Sequence, residues 1–342
     1  MRLLRRPVRS TISLFWKLAY DVFCTDDGSV EMLDFDDIKL AHTRIRPFIH
    51  ETPILKSESL NNLSGAELFF KCENFQKTGA FKARGATNAV LSLSKDAINS
   101  GVATHSSGNH GAALAWAAAT SNMRARIIVP ENTKQVKKDA IVNYGGEIIE
   151  CASNLKSREE TLQQLVKDTG AYFVPPYDDE QVISGQGTAA LEILEQVEDV
   201  DIAIIPVGGG GLLAGCLLGF SEDKVTTYGV EPEGADDAYR SLQTGERIPE
   251  HNPNTICDGL RTTLGSLNFP IIQNLVKDIL LVTDDEVVRA MYLLWTRLKI
   301  IIEPSCAVPL AGLLRNKDLF SGKRVAIILS GGNVDLTQLP FH

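Results

Sequence analysis

The sequence predicts an α/β protein with two open, twisted, mainly parallel sheets and a ligand cleft between them. Three observations carry this expectation. From Phe35 onward, short apolar runs alternate with stretches of helical period. The runs are mainly apolar rather than alternating, as expected of strands covered on both faces,. Small-residue turns directly follow several runs, at Ser106-Ser-Gly-Asn-His-Gly111, Gly208-Gly-Gly-Gly211 and Ser330-Gly-Gly-Asn333. Ligands of open α/β sheets bind just beyond the carboxyl ends of strands, so three such turns mark one cleft.

The 342 residues allow two domains, at about 150 residues each. Residues 1–34 read as a leader. Arg2, Arg5, Arg6, Arg9 and Lys17 precede the first acidic residue, Asp21, and interleave with Leu3, Leu4, Ile12, Leu14, Phe15 and Trp16. Such a segment is either a mitochondrial transit signal or a surface leader without targeting value. Phe35–Ile45 reads as an amphipathic helix. Strands are predicted at Leu68–Cys72, Gly101–His105, Ala125–Val129, Glu147–Cys151, Asp201–Val207, Thr226–Val230 and Arg324–Leu329. Helical stretches fall between them at Ala112–Ser121, Lys134–Asn143 and Arg158–Asp168. Residues 35–100 and 179–342 are assigned to a larger domain and 101–178 to a smaller one.

Composition narrows the function. A net charge of −9 opposes nucleic-acid and anionic-membrane binding, because both need basic surface. No run of eighteen apolar residues is present to cross a bilayer,. The six cysteines, Cys24, Cys72, Cys151, Cys216, Cys257 and Cys306, include no Cys-x-x-Cys pair, which argues against a zinc site or disulfide framework and fits a reducing compartment. The expected location is the cytoplasm, with the leader leaving mitochondria open. Cys306 is set apart because it falls at a candidate active-site strand end.

The four glycines at 208–211 precede a small-residue helix. Without Cβ atoms their amides can face an anion, and the helix N-terminus adds partial positive charge. A plain tight turn is the competing reading, and the lysine of a nucleotide P-loop is missing. Lys82 is flanked by Phe81 and the small Ala80, Ala83 and Gly85. An apolar setting lowers a lysine pKa and favours Schiff-base chemistry, whereas an isolated lysine is ordinarily a solvated surface charge.

Four motifs together resemble the serine racemase and serine/threonine dehydratase family. They are Lys77-Thr-Gly-Ala-Phe-Lys-Ala-Arg-Gly-Ala86, Thr104-His-Ser-Ser-Gly-Asn-His-Gly111, Val207-Gly-Gly-Gly-Gly-Leu-Leu-Ala-Gly215 and Leu329-Ser-Gly-Gly-Asn-Val-Asp335. The resemblance runs from about Phe35 to Leu336. It implies the fold type II architecture of enzymes dependent on pyridoxal 5'-phosphate, similar to the tryptophan synthase β subunit. It further implies that Lys82 anchors the cofactor and acts as base on one face of the substrate Cα. Phe81 and Glu303 are then cofactor-binding, Gly208, Gly209, Gly210 and Gly211 cradle the phosphate, Asn109 meets the ring hydroxyl, and Ser330 meets the ring nitrogen. A neutral hydroxyl at that nitrogen favours elimination and proton transfer over transamination. Ser106, Ser107, Gly108, Asn109 and His110 are expected to bind the substrate carboxylate. Ser107 matches the serine of racemases, where dedicated dehydratases place alanine. Racemisation needs this second acid/base opposite the lysine; elimination does not.

The acidic stretch Glu231-Pro-Glu-Gly-Ala-Asp-Asp237 reads by composition as a solvated loop. The resemblance makes Glu231, Asp237 and the Ala235 carbonyl ligands of Mg²⁺ or Ca²⁺. It also matches Lys77, Thr78, Tyr144 and Asn333 to an ATP-activator site, and it implies a homodimer acting on a small amino acid. Three departures stand against the pattern: Ala112 for a glutamine beside the ATP site, Tyr177 for the asparagine of mammalian-type racemases, and Cys306 with Pro309 for smaller residues. The other readings are a hydroxyaspartate-type dehydratase, a β-replacement enzyme of the same fold, and a cofactor-binding protein without turnover. The β-replacement context Ser-Val-Lys-Asp-Arg is absent.

Overall fold

In the computed structural model, which describes residues 33–341, ten strands form two sheets. The six-stranded sheet has the order β1 (Ile54–Leu55), β2 (Glu67–Cys72), β10 (Arg324–Leu329), β7 (Ile202–Pro206), β8 (Thr226–Pro232) and β9 (Asp278–Val282). Every neighbour pair is parallel except β1 with β2. The four-stranded sheet is parallel throughout, in the order β5 (Gly146–Cys151), β4 (Ala125–Pro130), β3 (Val102–Thr104) and β6 (Tyr172–Phe173). All seven strands predicted from sequence are present. β1, β6 and β9 are additions. Two-residue strands are too short to show a period, whereas β9 has a readable Ile-Leu-Leu-Val run at the sheet edge. The basic segment at residues 1–20 and Cys24 lie outside the described residues.

Burial follows from the apolar strands. Phe70, Ile204, Val230, Val325 and Ile327 of the larger sheet pack with Val287, Met291 and Leu294 in one core. A second core joins Val102, Ile127 and Val129 of the smaller sheet to Ala86, Ala89 and Val90 of the helix Lys82–Leu91. That helix therefore touches the smaller sheet while it grows from the larger one. Among the described residues the five cysteines are unpaired and buried. Cys306 corrects the strand-end reading: it lies inside the helix Pro304–Arg315, where burial raises its thiol far above the ordinary range. Pro304 opens that helix at a position where its missing N–H costs nothing.

A charged cluster lies fully inside. Arg84 donates to both Glu73 oxygens, each at 2.7 Å, and to the two Glu192 oxygens at 2.7 and 2.8 Å. Lys71 donates to Glu192 at 2.5 Å. Burial opposes every one of these charges, yet the Arg84 and Lys71 contacts bring Glu192 down to about 2. Two cations and two carboxylates balance, which is the condition under which buried ions are tolerated. Replacing Arg84 by Met leaves Glu73 without a cation and two buried carboxylates to share the single charge of Lys71. The expected loss is about 3–5 kcal/mol, read as a lower urea midpoint; a midpoint within error of wild type would show that the cluster carries no stability.

Candidate active site

β2, β10 and β7 are neighbours and parallel, so their carboxyl ends lie side by side. β2 leads through two short turns into the helix Lys82–Leu91, β10 leads to Ser330 and Gly331, and β7 leads to the glycine turn and the helix Gly211–Gly219. From the smaller sheet, β3 adds the bend at residues 105–108 that opens the helix Asn109–Thr120. The β2 and β10 outlets are stitched together: the Phe81 amide donates to the Ser330 carbonyl at 3.0 Å, and Ala80 pairs with Gly331.

Lys82 begins its helix, and its Nζ donates to the Pro176 carbonyl at 2.6 Å. The Phe81 ring centroid lies 5.0 Å from that nitrogen. Burial lowers the ammonium to about 8 even though the Glu303 carboxylate pulls upward. The desolvated lysine expected from the sequence is therefore present, in the protonation range a base needs.

Gly208, Gly209 and Gly210 are buried, and among the described residues none of their amides donates to a protein acceptor. Buried N–H groups are almost always paired. Three in a row at a helix N-terminus are a cradle for an anion. Gly210 has φ +88°, in the left-handed region, and the Tyr177 ring covers Gly209 where a side chain would lie.

Asn109 donates to Glu303 at 3.0 and 3.2 Å and accepts from Asn333 at 2.9 Å. Burial, with Asp258 nearby, pushes Glu303 up to about 7. Ser330 is buried at the end of β10. Ser106, Ser107 and Gly108 form the half-buried bend, and Gly111 lets the Ser106 carbonyl close against the first helical turn. The His110 ring turns inward to the Val174 carbonyl at 3.1 Å. Burial and the Lys82 charge hold it down to about 3, so it is a neutral buried ring and only its backbone is left for a ligand.

Glu231 ends β8 fully buried and accepts from the amides of Ala238 and Tyr239 at 3.3 and 2.8 Å. Asp237 accepts from the Leu264 amide at 2.8 Å, while its buried Oδ1 has no hydrogen-bond partner. Burial, and the Asp237 charge beside it, raise Glu231 well above the carboxylate range. A cation would satisfy both groups. Among the described residues no three His, Cys, Asp or Glu side chains gather as a metal set, so carbonyls such as that of Ala235 and water would complete one. In the nucleotide set, Asn333 donates to the Thr78 carbonyl at 2.8 Å, and Thr78 holds φ 60° with a buried, unpartnered hydroxyl. Tyr144 instead packs against the core of the smaller sheet. Three features escaped the sequence: the Pro176 carbonyl, which carries no side-chain signal, the Arg84 cluster, and Asn268.

The half-buried lysine beyond β2 and the free glycine amides beyond β7, on either side of β10, define the pocket of an enzyme built around a phosphate-bearing aldehyde cofactor. The chain belongs to the pyridoxal-phosphate dependent enzyme family, whose pattern matches residues 45–331. It is similar to the serine racemase of Dictyostelium discoideum, 50% identical over 310 residues that cover 89% of this chain and 95% of the relative. The β-hydroxyaspartate dehydratase of Paracoccus denitrificans (strain Pd 1222) is 48% identical over 310 residues, covering 90% of this chain and 98% of its own. The crystal structure of the Dictyostelium racemase superposes with a TM-score of 0.86 over 89% of this chain and 99% of that one. The crystal structure of the T.th. threonine deaminase gives 0.85 at 39% identity, over 90% and 100%.

Lys82 titrates at about 8 in the folded protein, below its ordinary 10.5. Between those values the unfolded chain holds a proton that the folded chain has released, so stability rises with pH. The cofactor-free Lys82→Met variant should therefore be more stable than wild type at pH 7. Its advantage should shrink as the pH climbs from about 8 towards 10.5, by up to about 3 kcal/mol. Parallel stability profiles for the two proteins would contradict the buried, proton-releasing lysine.

Proposed function

We propose that the protein is a pyridoxal-phosphate dependent serine racemase that also dehydrates L-serine and L-threonine to a 2-oxoacid and ammonia. The observation that carries this is the half-buried, desolvated Lys82 on the helix that follows β2, together with the glycine turn after β7 whose amides are free. The racemases and dehydratase-type enzymes among the similar proteins support the same reading.

When bound, the cofactor withdraws electrons from the amino-acid Cα and makes its proton acidic. Gly208–Gly211 would hold the phosphate through their amides, Asn109, restrained by Glu303, would serve the ring hydroxyl, Ser330 would serve the ring nitrogen, and Phe81 flanks the lysine. The bend Ser106–His110 offers amides and hydroxyls to the substrate carboxylate. Lys82 Nζ takes the Cα proton from one face. In elimination the Cβ–O bond breaks and the hydroxyl leaves as water with the proton that Lys82 took; the 2-amino-enoic acid released tautomerises to an imine, which takes up water to give the 2-oxoacid and ammonia. In racemisation the Ser107 hydroxyl returns a proton to the opposite face. The larger part of the molecule in this reading is 35–100 with 179–342, and the smaller is 101–178.

The reading extends to Mg²⁺ or Ca²⁺ at Glu231, Asp237 and the Ala235 carbonyl, supported by the buried Asp237 Oδ1, which accepts no hydrogen bond and has only the His251 ring 3.4 Å away. It extends also to ATP at Lys77, Thr78, Tyr144 and Asn333, supported by the strained Thr78, and to a homodimer in the cytoplasm. No helix among the described residues is long and apolar enough to cross a membrane.

Purified protein supplied with L-serine should yield both pyruvate and D-serine, and Lys82→Ala should yield neither. A serine-inactive protein that dehydrates β-hydroxyaspartate would favour the second reading raised by the Paracoccus relative. Ser107→Ala should lose D-serine formation and keep most pyruvate formation; surviving racemisation rules out the two-face assignment. Calorimetry with Mg²⁺ should register binding to wild type that Glu231→Ala and Asp237→Ala lose. Equal heats in all three proteins would remove the cation from this site.

A further inference from the structure

Asn268 is fully buried at the start of the helix Asn268–Leu275. Its Nδ2 donates to two carbonyls from different parts of the molecule: Gly209 at 2.7 Å and Tyr177 at 3.1 Å. The first lies in the glycine turn. The second is next to Pro176, whose carbonyl receives the Lys82 Nζ. One side-chain amide thus ties the anion cradle to the segment that holds the lysine. From this we infer that Asn268 is a positioning residue, which sets the orientation of the glycine amides and their placement relative to Lys82. The inference rests on the reading of this pocket as a pyridoxal-phosphate site.

The geometry explains how a residue outside the pocket acts on it. In a trans peptide the C=O and the following N–H point in opposite directions. The Gly209 carbonyl also accepts from the Gly265 amide at 3.0 Å, so it is drawn towards residues 265–268 by two donors. The Gly210 N–H is thereby turned away from that segment. The segment itself is fixed from the other side. Asp178 accepts from the amides of Ser266 and Leu267 at 2.8 and 2.9 Å. A Cβ on Gly210 would come within 3.1 Å of the Asn268 Cβ, so the turn packs directly against this residue.

Only a residue with two donors and the size of asparagine satisfies both carbonyls. Leucine matches the volume and supplies no donor. Aspartate matches the shape, but its carboxylate would face two carbonyl oxygens, and only the protonated acid can donate, to one of them. The Asn268 Oδ1 is itself buried without a partner. The site keeps a polar group there for its donors alone, at a cost that apolar packing would avoid.

The test uses full-length protein reconstituted with pyridoxal phosphate. Its dissociation constant is measured across pH 6–9, together with the ³¹P resonance of the bound phosphate. Asn268→Leu should weaken the cofactor by about tenfold, the equivalent of one lost hydrogen bond, and shift the ³¹P signal equally at every pH. Asn268→Asp should bind almost as wild type at the acid end and lose affinity as the pH rises. Lys82 and Glu303 titrate in all three proteins, so affinities are compared with wild type at each pH, and relative to wild type the leucine variant should lack that slope. A merely structural residue would not create it. Wild-type affinity and ³¹P shift in Asn268→Leu, or a wild-type pH profile in Asn268→Asp, overturns the inference. If the leucine variant fails to fold, the isosteric aspartate variant decides alone. Wild-type protein that binds no pyridoxal phosphate sinks the underlying reading and the inference together; intact binding with unaffected variants sinks only the role of Asn268.

Discussion

Every other feature of the pocket is hung from the guanidinium of Arg84. It lies two residues past Lys82 and is locked to Glu73 at the end of β2 and to Glu192 on the helix Glu180–Gln196. Lys71 on β2 completes the charge balance. None of these groups meets water, so each is tolerated only while all are paired. The cluster therefore behaves as one rigid joint between a strand, the lysine helix and a second helix. Gly85 strengthens the joint, because any side chain there would strike Gln186 and the Val182 carbonyl. The first turn of the lysine helix has nowhere else to go. The point from which Lys82 projects is consequently set by a joint that takes no part in chemistry.

With that joint fixed, the electrostatics of the pocket follow from what is left unpaired. Lys82 has a neutral carbonyl for a partner, and Glu303 a neutral amide. Neither charge is balanced by a direct contact, so burial dominates both and draws them towards neutrality, the lysine down to about 8 and the carboxyl up to about 7. The anion cradle beside them contains no cationic side chain among Gly208–Gly211. A phosphate there would rely on backbone amides and a helix terminus, which cannot lose a proton and do not change with pH. The pocket thus separates a pH-insensitive grip on the phosphate from titrating groups at the reacting end.

What the sequence revealed of this arrangement has a physical pattern. The glycine turn, Lys82, Asn109 and Ser330 were readable because each position admits very few residue types. Backbone amides can approach a ligand only where Cβ is missing, and a Schiff base needs a primary amine. The alternation of strands and helices was readable from burial on both faces. Pro176 was not, because it contributes a carbonyl that any residue has. Glu192 was not, because it meets Arg84 across 108 positions with no period linking them. His110 sits in the matched motif, yet its ring faces Val174, since a helix start that offers its amides on one side turns the next side chain to the core. Cys306, expected at a strand end, lies instead in a proline-started helix that is entered from the irregular segment Ile300–Ile302.

The two groups proposed to act on Cα are held with very different firmness. Lys82 is bonded to Pro176 and backed by the Arg84 joint. Ser107 lies half-buried on the bend between β3 and the helix Asn109–Thr120, where Gly108 supplies no side-chain cap. Proton removal from Cα is common to racemisation and elimination, so a rigid lysine serves both reactions. Only racemisation requires the opposite face, and that demand falls on a hydroxyl at a bend whose backbone is fixed chiefly by the close approach of Ser106 to Gly111. A methyl in place of that hydroxyl removes no core packing and no buried ion pair. On the proposed assignment, the choice between the two reactions would change at position 107 while the fold and the lysine stay as they are, which separates the stability of this architecture from the reaction proposed for it.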